Sequence, residues 1–549
     1  MFTPQNPTFE SSSQMSSSSS SPHELVKRRW LGFLIWQSIV STAVYLLSSL
    51  LIPLLRRPLA IGLLSFLAFH LSLLLLSLSF FLLSSPCPDA CLSAADLVAA
   101  LLRVSLSSVT GDCCSDVRRT AWRAVAKGLF LIMCGFSSFL SATAVCGRAV
   151  SVGRLRLVGA GIGGAIFGLV YGVHYLYHKR WILRFPIIQR PVFYSFKMGL
   201  LSSLSQALQL STLSFFSYLL LFLFLPHQLQ FVGSVGSFIL YQFKFYAGLS
   251  VISFCWELSH HLLQVVLTKR CVFAPFRGSA AAETNPSEWL LEVLEQSNRN
   301  SLLRYLACLD LCMVSESNVE PWRRAAFFEE TGQTYRRVVA VCLRPLEHFT
   351  SKLIEGLEGL TVTKFDILSK QMSSPNVYNV DVKLHEAFGD IQLYAWCARS
   401  VAALTARSHS EDRYGVAQLT GCNVAVISTL LSALLAVEAC MGKKTSSQPA
   451  NLVGPASIRW ATSNVAKHEG PVAIVSRKRG GILYSIAYAM ADILRTSIYQ
   501  IVSAFQAEMQ EHAKRSTLEK NWIADGKPLY ATRENIIQKL HQFLEYRAY

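Results

Sequence analysis

Long apolar runs alternate with short polar segments through the first half of the chain. Six of these runs are close to the ~20 residues that a helix needs to cross a bilayer. They cover residues 30–52, 59–83, 128–145, 157–177, 204–225 and 245–267. The first run follows Lys27-Arg28-Arg29 and is too long for the core of a cleaved secretory signal. The pattern predicts a six-span transmembrane domain over 30–270, after a disordered Ser-rich tail over 1–29.

The pattern changes after Arg270, where apolar residues recur at helical spacing between charges of both signs. Residues 271–286 are small and polar and predict a linker, and residues 287–549 predict a cytosolic, all-helical domain. Its predicted helices begin after the N-cap residue Ser287 and continue at 298–314, from Pro321, and at 334–360, 383–408, 414–441, 482–512 and 530–546. The buried face of the long helix is predicted to carry Ile482, Ile486, Met490, Ile493, Ile498, Ile501 and Phe505.

The expected fold class is therefore all-α: a polytopic membrane protein with six transmembrane helices, followed by a soluble helical C-terminal domain. Residues 424–439 are apolar enough for a seventh span, but they are short and lie between Asn423 and Glu438. They predict a buried core helix instead. Two further predictions concern segments outside the spans: residues 94–106 fit a helix lying in the membrane interface, and residues 442–473 fit a mobile loop.

Charge gives these predictions an orientation. The chain has 51 Lys and Arg against 34 Asp and Glu, a net charge of +17. In the first half the bases lie in the loops: sixteen, from Lys27 to Arg277, on the side of the N-terminus, and six on the other side. This bias predicts that both termini are cytosolic and that the loops contact anionic lipid. We expect no direct nucleic-acid binding, because no basic patch with interleaved aromatic residues is present.

Candidate metal and cofactor motifs are weak. The fourteen Cys residues include no two CxxC-like pairs at matched spacing, and His174 with His178 has no evident third ligand. Residues 159–164 fit GxGxxG but lie within an apolar run, where small residues spaced by four let neighbouring helices approach closely. The predicted packing face carries Gly161, Gly164, Gly168 and Gly172. We expect neither a metal nor a cofactor.

Two alternatives rest on ionisable residues. His385 and Asp390 fit the HxxxxD pattern of membrane acyltransferases, in which the Asp orients a general-base His. Glu257, with His260 and His261, would suit a transporter, although a transporter is expected to bury several such groups. The first pattern also fits an exposed helix start, and the second fits the end of a span.

The second half carries a more specific signal in three blocks. After a helix containing Trp396, residues 411–416 read Glu-Asp-Arg-Tyr-Gly-Val, and residues 289–291 read Trp-Leu-Leu. Residues 309–311 read Leu-Asp-Leu and precede Arg323-Arg324-Ala325-Ala326-Phe327-Phe328. The blocks resemble those of the transmembrane nucleoporin family named for the nuclear division cycle. The residues that carry the resemblance are Trp289, Asp310, Arg323, Arg324, Asp412, Arg413, Tyr414 and Gly415.

The resemblance implies a non-enzymatic protein that anchors the nuclear pore complex in the pore membrane and supports its assembly. It implies that the cytosolic half binds scaffold nucleoporins, in many lineages including a WD-repeat partner, and leaves self-association open. From the residues themselves, we expect Asp412 to cap the next helix and Gly415 to permit close packing.

Overall fold

The computed structural model describes residues 22–51, 59–87, 115–146, 154–222, 235–297, 301–366, 384–442 and 482–545. The expected interfacial helix at 94–106, the tail at 1–21 and residues 443–473 of the expected mobile loop lie outside these ranges. The chain divides into two compact units between Arg270 and Cys271. We call them the membrane unit and the C-terminal unit.

The membrane unit is built from six long helices. They are α1 (Pro22–Leu51), α2 (Leu59–Leu83), α3 (Ser115–Cys146), α4 (Arg154–Tyr177), α5 (Val192–Phe222) and α6 (Val235–Thr268). Each contains a stretch long and apolar enough to cross a membrane. The helices α3, α5 and α6 begin ten or more residues before the predicted apolar runs. In α3 the helix continues through a basic segment that hydropathy does not mark, and in α5 and α6 it continues through apolar residues that precede Lys197 and Lys244.

Contacts between helix ends show which ends lie together, and Gln264 near the end of α6 donates a hydrogen bond to the carbonyl oxygen of Ile182, just after α4. Arg29, near the start of α1, donates hydrogen bonds to the carbonyls of Val266 and Leu267 at the end of α6 (3.3 and 2.9 Å). A cation at this position stabilises the negative end of the helix dipole. Ser85, just after α2, exchanges backbone hydrogen bonds with Trp181 and Leu183, just after α4. One end of the unit therefore gathers the start of α1 and the ends of α2, α4 and α6.

The glycine-rich face of α4 lies against α3. A Cβ atom at Gly168 would overlap the backbone carbonyl of Cys134, and one at Gly164 would lie 2.6 Å from the Ser138 carbonyl oxygen. At Gly172 the obstacle is the Leu131 side chain at 2.8 Å, and at Gly161 it is the ring of Phe139. These glycines allow the two helix backbones to touch, which increases van der Waals contact where lipid supplies no hydrophobic driving force.

The C-terminal unit is also helical, and no strand occurs among the described residues. Its helices are α7 (Ala280–Thr284), α8 (Glu288–Gln296), α9 (Leu302–Glu316), α10 (Pro321–Ala325), α11 (Gln333–Asp366), α12 (Ile391–Glu411), α13 (Val416–Leu419), α14 (Cys422–Cys440), α15 (Ile482–Ala504), α16 (Gln506–Lys514), α17 (Leu518–Trp522) and α18 (Arg533–Glu545). A short 3-10 turn, Ala326–Phe328, follows α10. The expected helix at 414–441 is divided at Gly421, which has φ +68°, and the expected helix at 482–512 is interrupted at Phe505.

The apolar helix α14 is the seventh segment that could span a membrane by length and composition, and 78% of its apolar window is buried within the protein. Its two polar ends have partners in the C-terminal unit. Asn423 accepts a hydrogen bond from the Tyr335 hydroxyl (3.0 Å). Glu438 pairs with Arg495 at 2.6 Å and with Lys539 at 2.8 Å. The helix therefore has the burial and the polar contacts of a core element.

The core of the C-terminal unit includes one stripe of α15. Met490, Leu494, Ile498 and Ile501 on α15, and Phe505 just after it, are each at most 1% exposed. The predicted stripe was wrong at Ile486 and at Ile493, which are only half-buried. The spacing of four residues from Met490 to Leu494 and on to Ile498 brings Leu494 onto the face that meets α12 and α14, while Ile493 lies at its edge.

This difference gives a matched pair of variants. Leu494→Asp places an unpaired charge in the core and should cost about 4 kcal/mol or more of unfolding free energy. Ile493→Asp should be tolerated much better, because its carboxylate can reach water. The check is the protease sensitivity of residues 482–545 in the purified full-length protein. Equal sensitivity of the two variants would contradict the assigned face.

Candidate functional site

Asp310 and Arg323, which belong to one family block, meet at a buried ion pair. Arg323 Nη2 lies 2.6 Å from Asp310 Oδ2, and the Asp310 side chain is fully buried. Arg323 Nη1 also lies 2.7 Å from Glu320 Oε2. The pair fixes the preceding chain, since the Phe273 amide donates to Asp310 Oδ2 (2.9 Å) and Arg323 Nη2 donates to the Phe273 carbonyl oxygen (3.3 Å). The ring of Trp289 packs on that of Phe273 with centroids 5.2 Å apart.

The neighbouring Arg324 joins this cluster to the family block at residues 411–416. Its guanidinium forms a two-pronged contact with Glu411, with Nε–Oε2 at 2.7 Å and Nη2–Oε1 at 2.6 Å. It also donates to the Ser317 carbonyl oxygen (2.6 Å) and to Asn318 Oδ1 (3.3 Å). A planar guanidinium suits such bidentate contacts, and truncating it leaves Glu411 with only the longer contact to Arg407 at 3.3 Å. Arg324 thus ties the turn before α10 to the end of α12.

Electrostatics strengthens both contacts. Burial alone would lower the pKa of Arg323, but the charge of Asp310 and its hydrogen bonds outweigh that cost and hold the pKa above its usual value. Burial would raise the pKa of Glu411, yet the hydrogen bonds and charge of Arg324, with Arg407, hold it below its usual range. The Glu411 contact therefore contributes stability at neutral pH, which is lost as the pH falls through the lowered pKa.

The family block at residues 411–416 forms the turn between α12 and α13. Asp412 lies at the C-cap of α12 rather than in the expected N-cap position. Its carboxylate nevertheless accepts from the Tyr414 amide (3.2 Å) and from the Ala417 amide in the first turn of α13 (2.8 Å). Gly415 has φ +67°, and a Cβ atom added to it would meet nothing within 4 Å, so close packing is not its role. The left-handed backbone is what requires glycine there.

These contacts leave apolar side chains exposed around the turn. Tyr414 is 56% exposed, Leu419 83% and Val319 81%, while Arg413 is also exposed. Val319 follows Asn318, which accepts a hydrogen bond from Arg324. Arg413, Tyr414 and Leu419 lie in or just after the turn that follows Glu411. We call residues 317–324 and 411–420 the motif corner. It combines ion pairs that hold its two chain segments together with exposed apolar side chains, the usual composition of a protein interaction surface.

The residues of the acyltransferase alternative do not form the required pair. Asp390 Oδ1 accepts a hydrogen bond from the Tyr305 hydroxyl (2.8 Å), and its backbone begins α12. His385 is exposed on the preceding turn. A carboxylate held by Tyr305 does not orient an imidazole as a general base.

The transporter residues, in contrast, lie at a polar cavity of about 460 Å³ in the membrane unit. Glu257 on α6 is bound by both Nη atoms of Arg180 (2.8 and 2.6 Å). The backbone explains how Arg180 reaches it. Lys179 has φ +50°, and the Arg180 amide bonds the Tyr175 carbonyl, which ends α4 with a turn that directs Arg180 inward. In the sequence, Arg180 is one of the sixteen bases predicted on the side of the N-terminus. Its pairing was not predicted, although a lone acid in a span implies a nearby basic partner.

Among the described residues, no group of three or more His, Cys, Asp or Glu side chains could hold a metal ion. The rings of His174 and His178 lie at the cavity wall with centroids 4.4 Å apart and planes tilted by 52°. Together the fold and these sites define a polytopic helical membrane protein with a second, helical unit that displays an ion-paired surface corner.

A protein-family model described as nucleoporin protein Ndc1-Nup matches residues 161–379 and 378–511, more than half of the chain. The chain belongs to this nucleoporin family, which confirms the resemblance carried by the family blocks. All eight block residues and the four packing glycines lie within the matched segments. No curated protein sequence matches the chain. Family membership and the apolar helices together support a location at the nuclear pore membrane.

The ion pair at Asp310 leads to a stability prediction. Arg323→Ala leaves a fully buried carboxylate without its partner and should destabilise the C-terminal unit by about 3–5 kcal/mol. Arg515→Ala removes an exposed partner of Glu511 and should cost less than about 1 kcal/mol. Urea titrations of the two purified variants, followed by protease sensitivity of residues 301–366, compare them. Similar midpoints would show that the buried pair contributes little.

Proposed function

We propose that this protein anchors the nuclear pore complex: the membrane unit attaches it to the pore membrane, and the C-terminal unit binds scaffold nucleoporins and so supports pore assembly. The proposal assigns it no enzymatic activity. The single observation that carries it is the motif corner, where ion pairs between residues of the family blocks hold the segments that carry exposed apolar side chains. Such a surface is suited to binding a partner, and the corner lacks a catalytic pair.

The proposed topology has six spans with both termini in the cytosol or facing the pore. The gathering of the α1 start with the ends of α2, α4 and α6 supports an even number of crossings. The basic residues of the 178–191 loop and Lys27-Arg28-Arg29 lie at that same end, as the positive-inside tendency requires of a cytosolic face. In this topology the C-terminal unit lies outside the bilayer, where scaffold nucleoporins can reach it.

The topology predicts a protease pattern. Protease added to sealed microsomes should digest the N-terminal tail and the chain after about residue 271, while the loops on the opposite side of the membrane stay protected. An epitope tag at each terminus and immunoblotting before and after detergent treatment provide the measurement. Protection of the C-terminal tag in intact vesicles would rule out the six-span arrangement.

At the motif corner, we propose that Tyr414, Leu419 and Val319 form the contact with a folded nucleoporin, with a WD-repeat protein as the first candidate. Apolar and aromatic groups in such a position dominate binding energy when a partner removes them from water. Arg324 and Glu411 contribute indirectly, by fixing the chain segments that carry these three side chains. The binding role is thus separable from the stabilising role of the ion pairs beneath it.

This separation makes the partner proposal testable in cells. The double variant Tyr414→Ala/Leu419→Ser should reach the nuclear rim at normal abundance but lose at least about tenfold of its co-purifying scaffold nucleoporins. The control Leu529→Ser alters another exposed apolar residue of the same unit, 44% exposed, and should bind normally. Full partner recovery with the double variant would remove the motif corner from the proposal. A uniform reticular pattern for the unaltered protein would contradict the anchor role itself.

A further inference from the structure

Two cavities adjoin at the end of the membrane unit that carries the loop 178–191. Their volumes are about 460 and 450 Å³, and both are lined by Arg184, His261 and Gln264. The loop is held over them by side-chain contacts. Gln264 on α6 accepts from the Arg184 amide (3.1 Å) and donates to the Ile182 carbonyl oxygen (3.3 Å), and Gln189 accepts from the Arg270 amide (3.1 Å). The two cavities therefore adjoin beneath the same loop at this end of the membrane unit.

The first cavity has an unsatisfied polar wall. His260 is only 9% exposed, and its Nδ1 atom has no hydrogen-bond partner among the described residues. The same holds for the buried Nδ1 atom of His174. An unpaired buried polar atom is destabilising, so its persistence at a cavity wall points to a ligand that completes its hydrogen bonding.

The charge of the lining favours an anion. Apart from the histidines, the ionisable residues around the two cavities are four bases and one acid: Arg180, Arg184, Arg190, Lys269 and Glu257. Arg180 is already neutralised by Glu257. The remaining three bases, Arg184, Arg190 and Lys269, are exposed and leave an excess of positive charge beside the cavities, which attracts an anion.

The second cavity differs in being mainly apolar. It is lined by Ile187, Ile188, Val192, Met198 and Val265, next to Arg190 and Lys269. Ile187 is 92% exposed, Ile188 66% and Met198 66%. Apolar side chains this exposed at the end of a membrane bundle have the placement of residues that contact acyl chains at the interface.

We infer that the joined cavities bind one anionic glycerophospholipid. Its phosphate lies in the first cavity, where Arg184 and the free Nδ1–H of His260 donate to its oxygens. The upper part of an acyl chain lies along Ile188 and Met198 in the second cavity. A soluble anion would satisfy the polar wall but leave the apolar groove open, and only an amphipathic ligand matches both. This inference does not depend on the anchor role or on the motif corner.

Lipid binding to the purified full-length protein tests the site. The protein in neutral detergent is titrated with dioleoyl phosphatidylserine and with dioleoyl phosphatidylcholine, and native mass spectrometry counts bound lipid. The first should bind at least about tenfold more tightly. Arg184→Gln should remove most of that preference. Lys197→Gln makes the same charge change on an exposed residue outside both cavities, and should alter affinity by less than about twofold.

A second variant separates ligand binding from folding. His260→Leu removes the unpaired polar atom, so the thermal midpoint in lipid-free detergent should stay the same or rise, while phosphatidylserine affinity falls. Glycerophosphoserine, the headgroup without acyl chains, should compete only weakly. Equal binding of the two lipids, equal behaviour of Arg184→Gln and Lys197→Gln, or full competition by the soluble headgroup would overturn the lipid site. So would a lower midpoint for either cavity variant, since that would make the residue structural.

Discussion

An arginine held by a carboxylate is the contact on which both units depend. Removing a charge from water is costly unless the partner is close and the geometry is good. In the membrane unit this contact is Arg180 with Glu257, and in the C-terminal unit it is Arg323 with Asp310 and Arg324 with Glu411. In each case the arginine comes from a turn or a short helix and the acid from a long helix. The ion pairs therefore fix where the irregular segments lie, and those segments carry the candidate sites.

Much of the membrane unit could be predicted from the sequence because the bilayer imposes a strong and simple constraint. Backbone groups must be satisfied within the segment, so a long apolar run indicates a helix. Spacing by four also indicated the packing of Gly164 and Gly168 against α3. The start of α3 was missed because it is basic, whereas α5 and α6 begin in apolar segments that Lys197 and Lys244 separate from the predicted runs. The pairing of Glu257 with Arg180 was missed because it depends on the direction in which a turn sends one side chain.

The C-terminal unit was less predictable for a different reason. A water-soluble helix shows its buried face only through spacing, and one residue of error moves a side chain about 100° around the axis. That is how Ile493 was assigned to the core in place of Leu494. The family blocks were recognised, but their geometry was not: Gly415 serves backbone conformation, and Asp412 caps α13 from the end of α12. Local sequence patterns indicate which residues matter, while tertiary contacts decide what each of them does.

The bond between Arg29 and the end of α6 has a consequence for how the protein is made. Arg29 is separated along the chain by 237 residues from Val266 and by 238 residues from Leu267. During synthesis α1 enters the bilayer first, and its partner helix is the last of the membrane unit to leave the ribosome. The contact between α1 and the end of α6 can form only at that moment, after the intervening spans are in place. A chain halted before α6 cannot make this contact, so the attachment of α1 to the end of α6 is completed last.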